Sequence, residues 1–243
     1  MKRVYADLHL CADCDKAEQS SRVVSKASKL GYGLVAVPFR KFSEEQIRQV
    51  RETCAKAGVD FASRVDLTPR TPDELVGCLR KLRRRFEIVA VICKSKAVAR
   101  QAAKDRRVDL LNFPQPDFRG SFFDAAEAEL ASNCLASLEV DLKPLLTLEG
   151  PARIRLLSSL RREAATAVEF HVPIVISSGI SDDILMRKPK ELAALASLFD
   201  LSGVHSQEAV SKNPAAIVKR NREKLGPNFV APGIRIIKRG KDC

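Results

Sequence analysis

The feature that most constrains this sequence is a regular alternation of short apolar runs with helix-like stretches. Between the runs, apolar residues recur with a helical period, as Leu75, Leu79 and Leu82 do. Several runs are apolar at nearly every position, as in strands covered on both faces. Strands that alternate with helices predict parallel βαβ units. The seven runs span residues 4–10, 34–39, 59–67, 87–93, 108–113, 135–142 and 173–178.

Seven such units in a chain of 243 residues favour a TIM-like (β/α) barrel over an open sheet. We expect one domain over residues 1–243, with residues 226–243 as an extended basic tail. Seven strands are clear from the pattern, and the eighth is left open. Residues 201–204 are too short for a strand, and residues 229–237 contain Pro232 and Gly233, which favour an edge or an extended segment.

The charge is strongly positive and uneven. The chain carries 42 basic and 30 acidic residues, a net charge of +12. Residues 71–110 hold eleven basic and five acidic side chains, whereas residues 111–150 hold two basic and seven acidic ones. This imbalance predicts a polyanionic partner, with nucleic acid favoured over a merely solvated basic surface. The acidic block is the candidate contact for a basic protein partner.

Composition also bears on the cellular location of the protein. No run approaches 18 apolar residues, and no apolar stretch of signal-peptide length opens the sequence, so neither a membrane partner nor secretion is expected. Seven scattered cysteines, an odd number, are typical of reduced thiols. We therefore expect a cytoplasmic protein.

Candidate RNA-binding residues fall into two groups. The first lies on the outward faces of the third and fourth predicted helices, where guanidinium and ammonium groups suit phosphates: Arg80, Lys81, Arg83, Arg84, Arg85, Arg100, Lys104, Arg106 and Arg107. The second follows strands, where barrels commonly bind ligands: Arg40, Arg64, Lys94 and the small turn with Ser177 and Ser178. The C-terminal segment 212–224 is a further alternative. Aromatic residues are only 5%, which favours recognition of RNA shape and phosphate over base stacking.

No catalytic set is recognisable. Asp7, His9 and Cys11 alternate, but Cys11-x-x-Cys14 lacks a second pair, so a structural role is favoured over a metal site. The paired acids Glu139 and Asp141 have no evident partners and also suggest a structural role. We predict neither catalytic nor metal-binding residues, and no cofactor held by this chain.

The chain resembles, from end to end, the archaeal ribonuclease P protein component three, whose eukaryal relative is the thirty-kilodalton-class subunit. The resemblance implies a barrel related to polymerase-and-histidinol-phosphatase domains. It implies binding of a catalytic RNA that removes 5′ leaders from precursor tRNA with Mg²⁺, beside a second protein subunit and without a catalytic centre. It rests on VYADLHL, LGYGLVAV, SRVDL, IVAVICK, VDLLNF, IVISSGI (174–180), RKPKELAALASLFDL (187–201) and AVSKNPAAIV (209–218).

One departure from the wider group bears on function. The phosphatase-like relatives open with a His-x-His metal pair, and Asp7-Leu8-His9 stands in its place here. The resemblance therefore implies that the isolated chain is noncatalytic. The alternative is a metal-dependent phosphoesterase or a phosphate-binding metabolic barrel that uses Asp7, His9 and the 177–179 turn.

Overall fold

A computed structural model describes residues 3–12, 17–114, 123–231 and 234–237. Seven parallel strands pair in chain order, each with the next along the sequence. Every predicted apolar run contains one of these strands, which confirms the α/β barrel expectation. The strands are β1 (Ala6–Asp7), β2 (Leu34–Pro38), β3 (Asp60–Leu67), β4 (Ile88–Ile92), β5 (Leu110–Asn112), β6 (Ser137–Asp141) and β7 (Ile174–Ser177).

Ten helices surround the sheet in the described part of the chain. Capping explains where several begin: the Ser43 hydroxyl accepts from the Gln46 amide, and the Thr71 hydroxyl accepts from the Glu74 amide. They are α1 (Ala17–Leu30), α2 (Glu44–Lys56), α3 (Pro72–Leu82), α4 (Lys96–Ala103), α5 (Ala125–Cys134), α6 (Lys143–Thr147), α7 (Gly150–Glu169), α8 (Pro189–Leu195), α9 (Gly203–Ala209) and α10 (Lys212–Leu225). None is long and apolar enough to cross a membrane.

The barrel closes directly between β7 and the chain that follows β1. Leu10 forms a parallel bridge with Ile180, the Cys11 amide donates to the Ile180 carbonyl at 3.0 Å, and the Gly179 amide donates to the His9 carbonyl at 3.0 Å. Gly179 has a φ of +64°, and a Cβ there would lie 3.0 Å from Asp141 Cγ. A glycine is therefore required where the chain closes.

No eighth strand joins this sheet within the described residues. Residue 201 is irregular and α9 begins at Gly203. Residues of the other candidate segment form a separate antiparallel ribbon, β8 (Phe229–Ala231) and β9 (Ile234–Arg235). Pro232, Gly233 and residues 238–243 of the predicted tail lie outside the described residues.

Helix α10 seals the mouth of the barrel at the N-terminal ends of the strands. Ile217 and Val218 are buried against the inward-facing side chains of the strands, among them Ala6, Leu34, Ile88, Leu110 and Val175. Polar contacts fix the helix in place. The Asn213 amide group donates to the Ile174 carbonyl and that of Asn221 to the Glu87 carbonyl, both at 2.8 Å. The opposite mouth, at the strand C-termini, is left to polar residues.

Candidate nucleic-acid interface

A fully buried arginine lies at the centre of the barrel. Arg64 is on β3 and has no exposed surface. Its Nη1 and Nη2 donate to the two carboxylate oxygens of Glu139 on β6, at 2.5 and 2.7 Å. Nε donates to Asp66 at 2.6 Å, and Nη1 also reaches the Leu8 carbonyl at 2.7 Å. Bidentate pairing of this kind is the strongest arrangement that an arginine and a carboxylate can make.

His9 extends the same network. Its Nδ1 lies 2.9 Å from Asp141 and its Nε2 lies 3.2 Å from Asp66. Burial and the charge of Arg64 both act to lower the pKa of His9, but the two carboxylates outweigh them and raise it well above its usual value. Burial raises the pKa of Asp141 and Asp66, yet the neighbouring cations hold both below the ordinary value. The two carboxylates on either side of the ring therefore favour the protonated form of His9.

We call these side chains, with the Asn112 amide that bridges Glu139 and Asp141, the polar centre: His9, Arg64, Asp66, Asn112, Glu139 and Asp141. Ligand atoms of His9, Glu139 and Asp141 all lie within 4.8 Å of one another, close enough to hold a metal ion. However, Arg64, Asn112 and the Ser177 hydroxyl already donate to both oxygens of Glu139. Glu139 is therefore occupied by hydrogen-bond donors, and the Arg64 guanidinium supplies positive charge beside it where a metal ion would.

Three of the residues predicted at strand ends, Arg64, Ser177 and Ser178, are buried. Arg64 does not face a ligand but is enclosed by carboxylates. Ser177 and Ser178 are buried: the Ser177 hydroxyl donates to Glu139 at 2.7 Å, and the Ser178 amide donates to Asp7 at 3.0 Å. Because the Gly179 amide also bonds within the barrel, the turn uses its N–H groups for closure and offers no phosphate cradle.

Asp7 is also buried. Strand β1 ends at Asp7, so His9 lies beyond the strand and the two residues do not share a strand face as their alternation suggested. One carboxylate oxygen accepts from the His9 and Ser178 amides, and the other has no hydrogen-bond partner among the residues described. Burial raises the pKa of this carboxyl group. Asp7 supports the closure of the barrel and takes no part in the polar centre.

Most of the predicted basic residues do lie on the surface. Nine are exposed, and for seven of these the described part of the chain shows no hydrogen bond or ion pair of the side chain: Arg40, Arg80, Lys81, Arg84, Lys94, Lys104 and Arg106. Arg40 and Lys94 follow β2 and β4, whereas the others lie at or after the ends of α3 and α4. These seven are free to meet an anion.

The remaining four basic predictions have internal partners. Arg83 lies 3.4 Å from Asp109, and Arg85 is placed over the Phe42 ring at 5.1 Å. Arg100 donates to Glu127 at 3.2 Å, and Arg107 donates to both oxygens of Asp105. Carboxylates partly neutralise the charges of Arg83, Arg100 and Arg107, so these basic residues are less available to an anion than their sequence positions indicate.

The sequence offered segment 212–224 as an alternative surface without naming its residues, and the structure shows the surroundings of two of its cations. Arg220 donates to Asp109 at 3.0 Å and to the Leu135 carbonyl at 3.0 Å, and its Nε has no hydrogen-bond partner among the described residues. Burial and then the charge of Arg220 lower the pKa of Lys224. Arg83 and Arg106 act in the same direction, and Asp109 opposes them. The basic residues at the end of α10 are visible in the sequence, but the residues that surround Arg220 and Lys224 are known only from the fold.

Three comparisons identify relatives. Residues 4–225 match the model of a family described as RNase P subunit p30. The chain is 33% identical to ribonuclease P protein component 3 of Methanosarcina barkeri over 176 residues, 72% of each chain. It is 29% identical to the component 3 of Methanosarcina mazei over 241 residues, 99% of this chain and 98% of that one.

Solved structures support the fold. A chain of an archaeal ribonuclease P determined by cryo-EM with mature tRNA matches with a TM-score of 0.84 at 23% identity, over 97% of this chain and 99% of that one. A prolidase-like barrel from Bifidobacterium longum matches with a TM-score of 0.58 at 13% identity, over 91% and 70%. At such identities the likeness concerns the architecture alone.

Proposed function

Because the chain belongs to the RNase P subunit p30 family, we propose that it binds the RNA of ribonuclease P and supports removal of the 5′ leader from precursor tRNA, with no catalytic centre of its own. Membership of that family makes the chain a protein subunit of ribonuclease P, a tRNA-processing endoribonuclease. The match over residues 4–225 is the observation that carries the proposal.

The arrangement of the polar centre supports the proposal that the chain has no catalytic centre. A barrel phosphoesterase needs open ligand positions for a metal ion and a substrate. Here Glu139 is hydrogen-bonded on both oxygens, and the Arg64 guanidinium lies between the carboxylates. Both nitrogens of His9 face carboxylates as well. The phosphoesterase alternative, with Asp7, His9 and the 177–179 turn, has no support from this arrangement.

The exposed cations are the proposed contacts with RNA. Arg80, Lys81 and Arg84 at the end of α3 have no competing carboxylate among the described residues, so their charge is available to phosphates. Lys104 and Arg106 extend this set beyond α4. Arg40 and Lys94 form a smaller group after β2 and β4. We propose no RNA contact for the enclosed hydroxyls of Ser177 and Ser178.

Partners and conditions follow from the same function. We propose that the catalytic RNA, precursor tRNA as substrate of the complex, and at least one paired protein subunit act together with this chain. Mg²⁺ serves the RNA-based chemistry and is not held by the barrel. The odd number of cysteines is in keeping with a cytoplasmic location.

Reconstitution tests this function. The RNA and protein subunits of ribonuclease P from the same organism are assembled with and without this chain and given labelled precursor tRNA in Mg²⁺. We expect 5′-leader cleavage at limiting Mg²⁺ to require the chain, and the chain alone to cleave nothing. Site-specific cleavage by the chain alone, lost in a His9→Ala variant, would contradict the noncatalytic role.

A further inference from the structure

We propose that four cations at the N-terminal mouth of the barrel bind the phosphodiester backbone of the ribonuclease P RNA. This mouth cluster comprises Arg83, Arg106, Arg220 and Lys224. The inference rests on the proposed function, since it names the surface through which the subunit would hold RNA. It joins part of α10, which lies in the alternative segment 212–224, to the contact that the sequence placed on α3 and α4.

Three parts of the chain bring the mouth cluster together. Arg83 ends α3, Arg106 lies between α4 and β5, and α10 supplies Arg220 and Lys224. Asp109, which is buried just before β5, holds two of them: its carboxylate lies 3.4 Å from Arg83 and 3.0 Å from Arg220. The Arg220 guanidinium also bonds the Leu135 carbonyl. The arginines are therefore oriented before any ligand arrives, which lowers the entropic cost of binding.

The charges in the mouth cluster do not balance. Asp109 is the carboxylate that pairs with Arg83 and Arg220, and burial together with the charge of Arg220 lowers the pKa of Lys224 despite it. The neighbouring Arg222 is different, because Asp60 and Glu87 both accept from its guanidinium at 2.6 Å. Cations held close together without matching carboxylates are stabilised by a bound anion.

The chemistry of the free groups favours phosphate. The side chains of Arg106 and Lys224 form no hydrogen bond or ion pair in the described structure. Guanidinium groups pair with phosphate oxygens through two parallel hydrogen bonds. Arg84 adjoins Arg83 in sequence, and Lys104 precedes Arg106 by two residues, so exposed cations continue the surface. A polyanion longer than one phosphate fits this arrangement.

The test removes only the cations that do no structural work. Arg106→Gln/Lys224→Gln leaves the bonds of Arg83 and Arg220 to Asp109 intact. The control, Arg48→Gln/Lys56→Gln, removes two exposed cations of α2, and Arg106→Lys/Lys224→Arg preserves the charge. Binding of each full-length protein to in vitro transcribed ribonuclease P RNA of the same organism is measured over a range of KCl concentrations, after thermal melts confirm folding.

We expect the log–log salt slope to fall by about 1.4 to 1.8 in the Gln pair, at roughly 0.7–0.9 per phosphate contact, and to stay unchanged in the control and the charge-preserving pair. An unchanged slope in the Gln pair, with normal wild-type binding, would overturn the mouth cluster and leave the proposed function standing. An equal drop in the control would also overturn it. Failure of the wild-type chain to bind RNA would instead reject the proposed function. A Gln pair that binds RNA normally but fails in reconstitution would assign the surface to a protein partner.

Discussion

The polar centre and the mouth cluster are both built from arginines around carboxylates, yet they differ in balance and in access. In the polar centre, Arg64 has no exposed surface and Glu139 accepts on both oxygens. In the mouth cluster, Asp109 holds two arginines while Arg106 and Lys224 remain free. The polar centre encloses two cations among three carboxylates, an arrangement that suits support of the fold, whereas four cations around one carboxylate on an open surface can bind an anion.

This difference bears on the proposed noncatalytic role of the barrel. Inward-facing polar side chains at the strand C-termini are where barrels usually place an active site. Here they bond one another, and the free charge lies at the mouth sealed by α10. Changes in the polar centre should therefore alter stability, and changes on the basic surface should alter RNA binding.

The largest stability effect is expected at Arg64. Arg64→Met removes the cation but leaves Glu139 buried without its main partner. The free energy of unfolding should fall by about 3–5 kcal/mol, since an uncompensated buried charge is costly. Urea unfolding measures the change. Arg161→Gln breaks an exposed contact to Asp200 and should cost no more than about 0.5 kcal/mol.

A double variant sharpens this result. Arg64→Met/Glu139→Leu removes both charges and should lose less stability than the two single variants added together, because neither charge is left alone. If the two single losses simply add, Arg64 and Glu139 do not act as a pair. The polar centre would then be a set of independent contacts.

The second effect tests α10, which both seals the barrel and carries part of the mouth cluster. Ile217→Ala creates a cavity against the strands and should lower the free energy of unfolding by about 2–5 kcal/mol. The salt slope of RNA binding, measured at a temperature where the variant is fully folded, should not change, because the cations remain. Lys219→Ala, at an exposed position of the same helix, is the control and should melt like the wild type.

A third effect depends on pH. The pKa of His9 is raised in the folded protein, so its contribution to stability is complete below its unfolded pKa and is lost as pH rises through the folded value. The unfolded value is about 6.5. Urea unfolding from pH 6 to pH 10 should show a decline in the wild type that is smaller in His9→Gln. Equal declines would mean that His9 is not held as a cation.

The sequence predicts the seven strands well because each is apolar enough to be covered on both faces, and it predicts Glu139 and Asp141 as structural acids. It could not place Arg64, because a strand residue shows its face only once its neighbours are known. Arg64 and Asp66 alternate on β3 as Glu139 and Asp141 do on β6, and that shared parity was the available signal. Asp109 pairs with Arg83 at the end of α3 and with Arg220 on α10. These two arginines are more than a hundred residues apart in the sequence, so their shared partner is known only from the fold.

The smallest effect on stability is expected on the exposed end of α3. Arg80→Gln/Lys81→Gln/Arg84→Gln should change the free energy of unfolding by within about 0.5 kcal/mol per substitution, since none has a partner in the described structure. The salt slope for RNA binding should fall by about two to three. A folded triple variant with wild-type affinity and slope would remove this surface from the proposed RNA contact.

Placing a polar-centre variant in the reconstituted enzyme tests most directly whether the barrel carries no chemistry of its own. Asp141→Asn keeps the shape of the side chain but removes a carboxylate that any metal-dependent reaction at this barrel mouth would need. We expect precursor-tRNA cleavage at the wild-type rate per assembled complex, at saturating and at limiting Mg²⁺. Complexes that assemble normally but lose cleavage in Asp141→Asn would contradict it and place the chemistry inside the barrel.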